Sequence, residues 1–452
     1  MKGCLVKVNN ITHQPTIIPR PEHSISRKEI SEPAIKVLYR LKKAGYAAYL
    51  VGGGVRDLLL GKHPKDFDIA TSASPEQVKA LFSNCRLIGR RFRLAHVHFG
   101  REIIEVATFR GHHESGDEGE GVVENGMIMR DNVFGSLEED AMRRDFTINA
   151  LYYNIVDFSV VDYTTGLQDL KDRKLRLIGD PVVRFQEDPV RMLRAIRFAA
   201  KLDFQLDDTI KTQIIEHGEL LANIPAARLF DEILKMFLSG YAKTAYQLLK
   251  EYQLLKYVFP LTMPLIQDNE YSDLFISFAL ENTDKRIHEG KPVTPAFLFA
   301  ALLWLPVQQK SALLQEQGMT SLQAMQVAGD QVTREQVKHV TIPKRFSFPM
   351  REIWINQLRL DMRRGKRAMR LLQQPRFRAS YDFMLLRNQA GEALQELCDW
   401  WTQFQTEGED EQRHMVNKLT QNKGHGKGPG KSKGNKRRRA KPAQDSKEHE
   451  AS

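Results

Sequence analysis

The spacing of apolar positions divides this 452-residue chain into a mixed head and a long helical remainder. Ile35, Leu38 and Leu41 recur at helical spacing behind Ser31, and Gly45 closes the run. Residues 47–51 read as a strand, broken by Gly52-Gly53-Gly54, and residues 55–60 as a short helix. Residues 67–70 read as another strand. Ser74-Pro75-Glu76-Gln77 is a capping box with proline at the first helical position, opening a helix to Phe82. Alternating apolar positions predict strands at residues 86–88, 95–99 and 102–108, and a strand pair within 151–162. The Gly- and Glu-rich stretch 111–126 reads as a mobile loop. From Ser136 onward helical periodicity dominates. The fold class is therefore α+β: a mixed-sheet head, then an elongated all-helical neck and body.

Composition shifts suggest six segments. These are an irregular, proline-containing extension (1–30), the head (31–165), the neck (166–240), the body (241–342), an arginine-rich region (343–420) and a basic tail (421–452). The tail is low-complexity Gly, Lys and Arg and is expected to be disordered. A hydrophobic fraction of 42% excludes a wholly disordered chain.

Charge changes this picture by its distribution. The formal net charge is +11, but residues 1–342 balance to zero. Residues 343–387 carry +9, residues 388–420 carry −5 and the tail carries +7. A basic last quarter suggests an anionic partner, of which nucleic acid is the commonest. Cys4, Cys85 and Cys398 lie far apart, without zinc-ligand spacing, which suits a reducing compartment. The longest apolar run, near residues 297–307, is shorter than the roughly 20 residues a membrane helix needs, and no signal-peptide pattern opens the chain. A cytoplasmic protein without a transmembrane segment is expected.

The candidate chemistry lies in Leu50-Val51-Gly52-Gly53-Gly54-Val55-Arg56-Asp57 and Lys65-Asp66-Phe67-Asp68. A strand, a glycine turn and a helix start form an anion site, because glycine admits close backbone approach and unpaired amides point at a phosphate. Asp66 and Asp68, two apart on a strand, project to the same face. Adjacent carboxylates are costly unless a cation separates them, and hard oxygen donors suit Mg²⁺. The pattern points to nucleotidyl transfer assisted by two Mg²⁺ ions. Glu105, on the strand predicted at 102–108, is a candidate third ligand. His96 and His98 share a strand face but lack further metal-ligand partners and read as packed histidines.

These segments resemble the bacterial class II nucleotidyltransferases, which comprise poly(A) polymerases and CCA-adding tRNA nucleotidyltransferases. Two further motifs carry the resemblance: Arg143-Arg144-Asp145-Phe146-Thr147-Ile148-Asn149-Ala150-Leu151 and the run from Phe185-Gln186-Glu187-Asp188-Pro189-Val190-Arg191 to Phe198. The resemblance implies a nucleotidyltransferase head with Asp66, Asp68 and Asp145 as catalytic residues. It implies that Gly52, Gly53, Arg56, Arg144 and Asn149 face the nucleotide and that Glu187, Asp188 and Arg191 read the base. Glu187 and Arg191, four apart, can meet as an ion pair. Arg194 and Arg197 on the same helix are candidates to line an RNA path.

The segment Leu87-Ile88-Gly89-Arg90-Arg91-Phe92-Arg93-Leu94-Ala95-His96-Val97-His98-Phe99 resembles the signature that separates poly(A) polymerases from CCA-adding enzymes. Residues 343–387 interleave Arg363, Arg364, Arg367 and Arg370 with Phe346, Phe348, Trp354, Phe377 and Tyr381. Arginine on phosphates and aromatic faces for bases suit sequence-tolerant single-strand binding. Most of these aromatics are nevertheless expected to be core. The resemblance implies template-independent addition of AMP from ATP to RNA 3′ ends, with RNA-decay proteins as partners. A CCA-adding enzyme and an inactive RNA-binding adaptor are the alternatives.

Overall fold

The computed structural model describes residues 14–89, 93–111, 121–124, 127–131, 133–267 and 269–421. The head is built on a mixed sheet whose strands are β1 (Thr16–Ile18), β2 (Ala48–Val51), β3 (Asp68–Thr71), β4 (Cys85–Ile88), β5 (Leu94–Phe99) and β6 (Glu102–Thr108). A separate hairpin, β7 (Gly121–Glu124) and β8 (Met127–Asp131), precedes its last strands, β9 (Leu151–Asn154) and β10 (Val160–Asp162). The spatial order is β1-β10-β9-β2-β3-β6-β5-β4. β3 and β6 run parallel and every other neighbouring pair antiparallel.

The local signals behave as expected. Ser31 caps α1 (Glu32–Lys43) by accepting from the Ala34 N–H. Gly52 sits at φ +73°, a conformation that favours glycine, and leads into α2 (Gly53–Leu59). The capping box at Ser74 and Gln77 opens α3 (Pro75–Leu81). α4 (Leu137–Arg143) is capped by Ser136 in the same way, and α5 (Gly166–Lys171) follows β10.

Strand alternation gives the sheet two unlike faces. Leu50, Ile69, Val97, Ile104 and Tyr153 face α1 and join the main core. Val51, Ala70 and Tyr152 point the other way into a small cluster with Phe109 and Ala141. Asp68 lies on that second face, by alternation with Ile69.

Three local expectations are corrected. Residues 16–30 are not irregular: β1 pairs with β10, and Ile25 and Ile30 are buried in the main core. The stretch 111–126 is not one loop, since residues 121–124 form half of the β7–β8 hairpin; residues 112–120 and 125–126 lie outside the described residues. The strand expected to carry both aspartates begins at Asp68, so Asp66 lies on the exposed approach to it.

Beyond the head the chain is helical, apart from two short paired strands. α6 (Pro181–Glu187), α7 (Val190–Leu202), α8 (Asp208–His217) and α9 (Ala226–Phe237) form the neck region. The main core runs on through the later helices to Ala390. A second core gathers Leu360, Phe377, Tyr381, Trp401 and Phe404 near the C-terminus. Trp354, Phe377 and Tyr381 are thus core, and the Trp354 indole donates to the Ala300 carbonyl at 3.0 Å. Phe348, 55% exposed, stands outside, with Arg351 over its ring. Cys85 and Cys398 are buried and free, while Cys4 lies outside the described residues, as does the tail from residue 422. No single helix among the described residues is long and apolar enough to cross a membrane.

Candidate active site

Asp68 opens β3 directly after the buried Phe67 and stands in register with Val51 of β2 on one side and Glu105 of β6 on the other. Its Oδ2 lies 3.8 Å from the point where a Gly52 Cβ would be, and the Arg144 guanidinium lies 3.7 Å from that point. The glycine turn therefore brings backbone, carboxylate and guanidinium together. Burial, and then the charge of Glu105, pushes the Asp68 carboxyl up to about 6, against the pull of Arg144. Glu105 meets His96 at 3.3 Å, which gives that histidine a carboxylate partner. Among the described residues no three His, Cys, Asp or Glu side chains converge as a ready metal cage.

Arg144 is aimed by a buried triad that the motif reading did not single out. Asp140 Oδ2 accepts from Arg144 Nη2 at 2.9 Å and from the Tyr152 hydroxyl at 2.7 Å, and Arg144 Nε donates to Tyr152 at 2.9 Å. Asp140 and Tyr152 are 4% and 0% exposed, so this arrangement is fixed from below.

Asp145 is held on every side. Its Oδ2 accepts from Arg194 Nε at 2.8 Å and Nη2 at 2.5 Å, while Oδ1 accepts from the Phe146 N–H at 2.8 Å and the Asn149 amide at 3.2 Å. Burial opposes the charge, but the Arg194 guanidinium and these donors outweigh it and hold the carboxyl at about 2. Asn149 Oδ1 accepts in turn from Arg56 Nη1 at 2.7 Å, and Arg56 also donates to Asp57. Arg56, Asn149, Asp145 and Arg194 thus form one chain of hydrogen bonds from α2 in the head to α7 in the neck.

A second clasp lies beside it. Arg184 Nη2 donates to the carbonyls of Arg143 and Arg144, each at 2.6 Å, and its Nη1 to Glu187 at 2.7 Å. Glu187 also accepts from Arg191 at 2.8 Å. The expected Glu187–Arg191 pair is present, but across a helix junction: Glu187 ends α6, and Arg191 lies in the first turn of α7. Asp188, at the cap between them, accepts from Arg228 of α9 at 2.6 Å.

Against this geometry the relatives are informative. Three family models match: "Poly A polymerase head domain" over residues 48–176, "Probable RNA and SrmB-binding site of polymerase A" over 203–265, and "Polymerase A arginine-rich C-terminus" over 317–443. Poly(A) polymerase I of Escherichia coli O6:H1 is 53% identical over 414 residues, covering 90% of this chain and 89% of that protein. The chain belongs to the poly(A) polymerase family. It is accordingly a polynucleotide adenylyltransferase, with a nucleotidyltransferase head and RNA-binding helical parts. The CCA-adding enzyme of Lactobacillus helveticus is 41% identical over 221 residues, which is 49% of this chain and 53% of that enzyme. The crystal structure of the Bacillus stearothermophilus CCA-adding enzyme in complex with CTP matches with a TM-score of 0.57 and 25% identity, covering 81% of this chain and 82% of that one.

In this family member the arginines expected to meet RNA fall into two environments. Arg194 and Arg197 lie in the head–neck seam, Arg194 on Asp145 and Arg197 at 3.6 Å from Glu232 with Phe198 beneath it. Arg363 packs over Trp400 and pairs with Glu396. Arg364, Arg367 and Arg370 are exposed. In the segment read as the polymerase signature, residues 90–92 lie outside the described residues, and Arg93 pairs with Glu76 at the surface. Asp140, Tyr152, Arg184 and Arg228 were not anticipated. The signal for Arg184 was present, since it lies three residues before Glu187. That for Arg228 was absent, because its partner is forty residues away.

Proposed function

We propose that this chain adds AMP from ATP to RNA 3′ ends without a template, in the cytoplasm, and that the tails mark RNAs for decay by partner proteins. The donor set suits divalent cations. Asp68 and Glu105 stand side by side across β3 and β6, and the Asp68 carboxyl is raised first by burial and then by Glu105, both of which a bound cation would offset. Asp66 and Asp68, with Glu105 alongside, would hold two Mg²⁺ ions, which supply acidification of the RNA 3′-hydroxyl and charge neutralisation on the leaving pyrophosphate.

The chain's own groups bind and orient. The Gly52–Gly53 turn and Arg144 cradle the triphosphate beside Asp68. Asn149, Asp145 and Arg56 form the polar wall on the sugar side. Glu187, Asp188 and Arg191 present carboxylates and a guanidinium fork to the purine edge. The RNA 3′ oxygen forms a bond to the α-phosphorus, the bond to the bridging oxygen breaks, pyrophosphate departs and the hydroxyl proton passes to water. In this reading residues 31–165 carry the chemistry, 166–240 read the base, 241–342 form the helical body, and the segments 343–420 and 421–452 hold RNA.

The observation that carries the reading is the reach of the similarity: 90% of this chain aligns with a poly(A) polymerase I, and 49% with a CCA-adding enzyme. The shared fold with CCA-adding enzymes supports that activity as the second reading.

The test is primer extension with each nucleoside triphosphate supplied singly, on a generic RNA and on tRNA lacking its end. Long tails with ATP alone are expected. CTP incorporation on the tRNA would favour the second reading, and no extension with any nucleotide would leave an RNA-binding adaptor. Asp68→Ala is expected to lower extension by about 10³-fold or more while RNA binding persists. An active Asp68→Ala enzyme would remove the metal assignment.

A further inference from the structure

Away from the active site, the helix Glu270–His288, the connection after it and the helix Phe377–Gln389 enclose a groove of about 550 Å³. That volume falls within the roughly 300–1,000 Å³ of ligand-binding clefts. Its floor is carbon: Ala279, Val293, Phe297 and Leu386. Phe297 is braced edge-to-face by Phe383 at 5.8 Å. The Thr283 hydroxyl in the floor already donates to the Ala279 carbonyl at 2.9 Å. The floor therefore offers a planar group a surface to lie on, with little to read its edges.

The rim is cationic. Lys285, Arg286, Lys291 and Arg378 line the groove from three segments of chain, against two carboxylates, Glu289 and Asp382. Those carboxylates pair with Lys291 at 2.7 Å and Arg378 at 3.0 Å, which leaves a net positive rim. Arg286 is steadied by donating to the Pro292 carbonyl at 3.1 Å. An apolar floor beneath a net positive rim matches a nucleotide unit, with its base on carbon and its phosphates on guanidinium and ammonium groups. Two of the three wall segments, including Lys285, Arg286 and Lys291, lie outside the RNA-related family matches at 203–265 and 317–443.

We propose that this groove is a holding site for single-stranded RNA upstream of the growing 3′ end. The site is sequence-tolerant, because it takes bases by stacking and phosphates by charge. It rests on the reading that the chain extends RNA, and its test separates the two. In the full-length protein, Arg286→Glu with Arg378→Glu is compared with the milder pair Arg286→Gln with Arg378→Gln, after matched melting curves establish folding. The probes are fluorescein-labelled oligo(A) of six and twenty nucleotides, read by anisotropy and by initial extension rate. The Glu pair is expected to weaken twenty-nucleotide binding by about tenfold or more and to lower the twenty-to-six rate ratio by a similar factor. The Gln pair should fall between, with a salt slope shallower by about 1.4, from roughly 0.7 per single-strand phosphate contact. Binding and rate ratios within twofold of the unsubstituted protein would overturn the site. Absence of extension by the unsubstituted protein would instead count against the polymerase reading.

Discussion

In the head–neck seam, Arg56, Arg184, Arg191, Arg194 and Arg197 each meet a carboxylate or an amide oxygen, and four of them have side chains no more than 15% exposed. Around the helix Lys366–Leu372, Arg364, Arg367 and Arg370 stand in solvent. The residue type is the same and the environments are opposite. A desolvated guanidinium whose donors are taken by protein oxygens, as in Arg184 and Arg194, is a structural fork that fixes where other groups point. An exposed one keeps its donors for a phosphate and acts through charge. Arginine content alone therefore does not mark an RNA surface in this chain. The seam uses arginine to join the α6–α7 junction at Glu187 and the helix α7 to the segment Arg143–Asp145 of the head.

Between these two sets of arginines, the larger expected effect is at the seam. Arg194→Gln should lower kcat/KM for ATP by about 10²-fold, since it frees Asp145 and uncouples α7 from the head. It should also cost about 2 kcal/mol of stability at pH 7, less than the ~3–5 kcal/mol of a fully buried pair because Arg194 keeps some solvent contact. Asp145 is held at about 2 against its ordinary 3.8. A depressed carboxyl stabilises the fold fully above the unfolded value and loses that contribution as pH falls through the folded one. The stability gap between the unsubstituted protein and Arg194→Gln should hold above pH 4 and close between pH 4 and pH 2, in denaturant titrations at fixed salt. A gap that widened on acidification would break the contrast.

The smallest effect is at the exposed set. Changing Arg364, Arg367 and Arg370 together to Gln should leave melting unchanged. RNA affinity should fall several-fold at low salt, and the slope of log affinity against log salt should become shallower by about 2. A loss of stability comparable to that of Arg194→Gln would show that these arginines are structural too.

The sequence made the local elements legible where a cap or glycine marked them. Ser31, Ser74 and Gly52 each sit where their chemistry demanded. It did not reveal β1, because three residues pairing with β10 across more than 140 positions leave no periodic trace. Asp66 and Asp68 were visible as a spaced pair, whereas the adjacency of Asp68 and Glu105 depended on the parallel pairing of β3 with β6. Arg194 was legible as a basic residue on a helix. Its partner Asp145 lies 49 residues away, so the spacing rules that found Glu187–Arg191 could not reach it. The aromatics of residues 343–387 show the same limit: Trp354, Phe377 and Tyr381 interleave with arginine in sequence yet serve two cores.

The most direct measurement is a double-mutant cycle on Asp145 and Arg194, read as kcat/KM for ATP with Asp145→Asn, Arg194→Gln and the pair together. If Arg194 acts by holding Asp145, the double variant should be about as impaired as either single one, giving a coupling of about 2 kcal/mol or more. Additive losses would mean that the two residues act independently, and the seam arginines would then have to be read as separate ligand contacts.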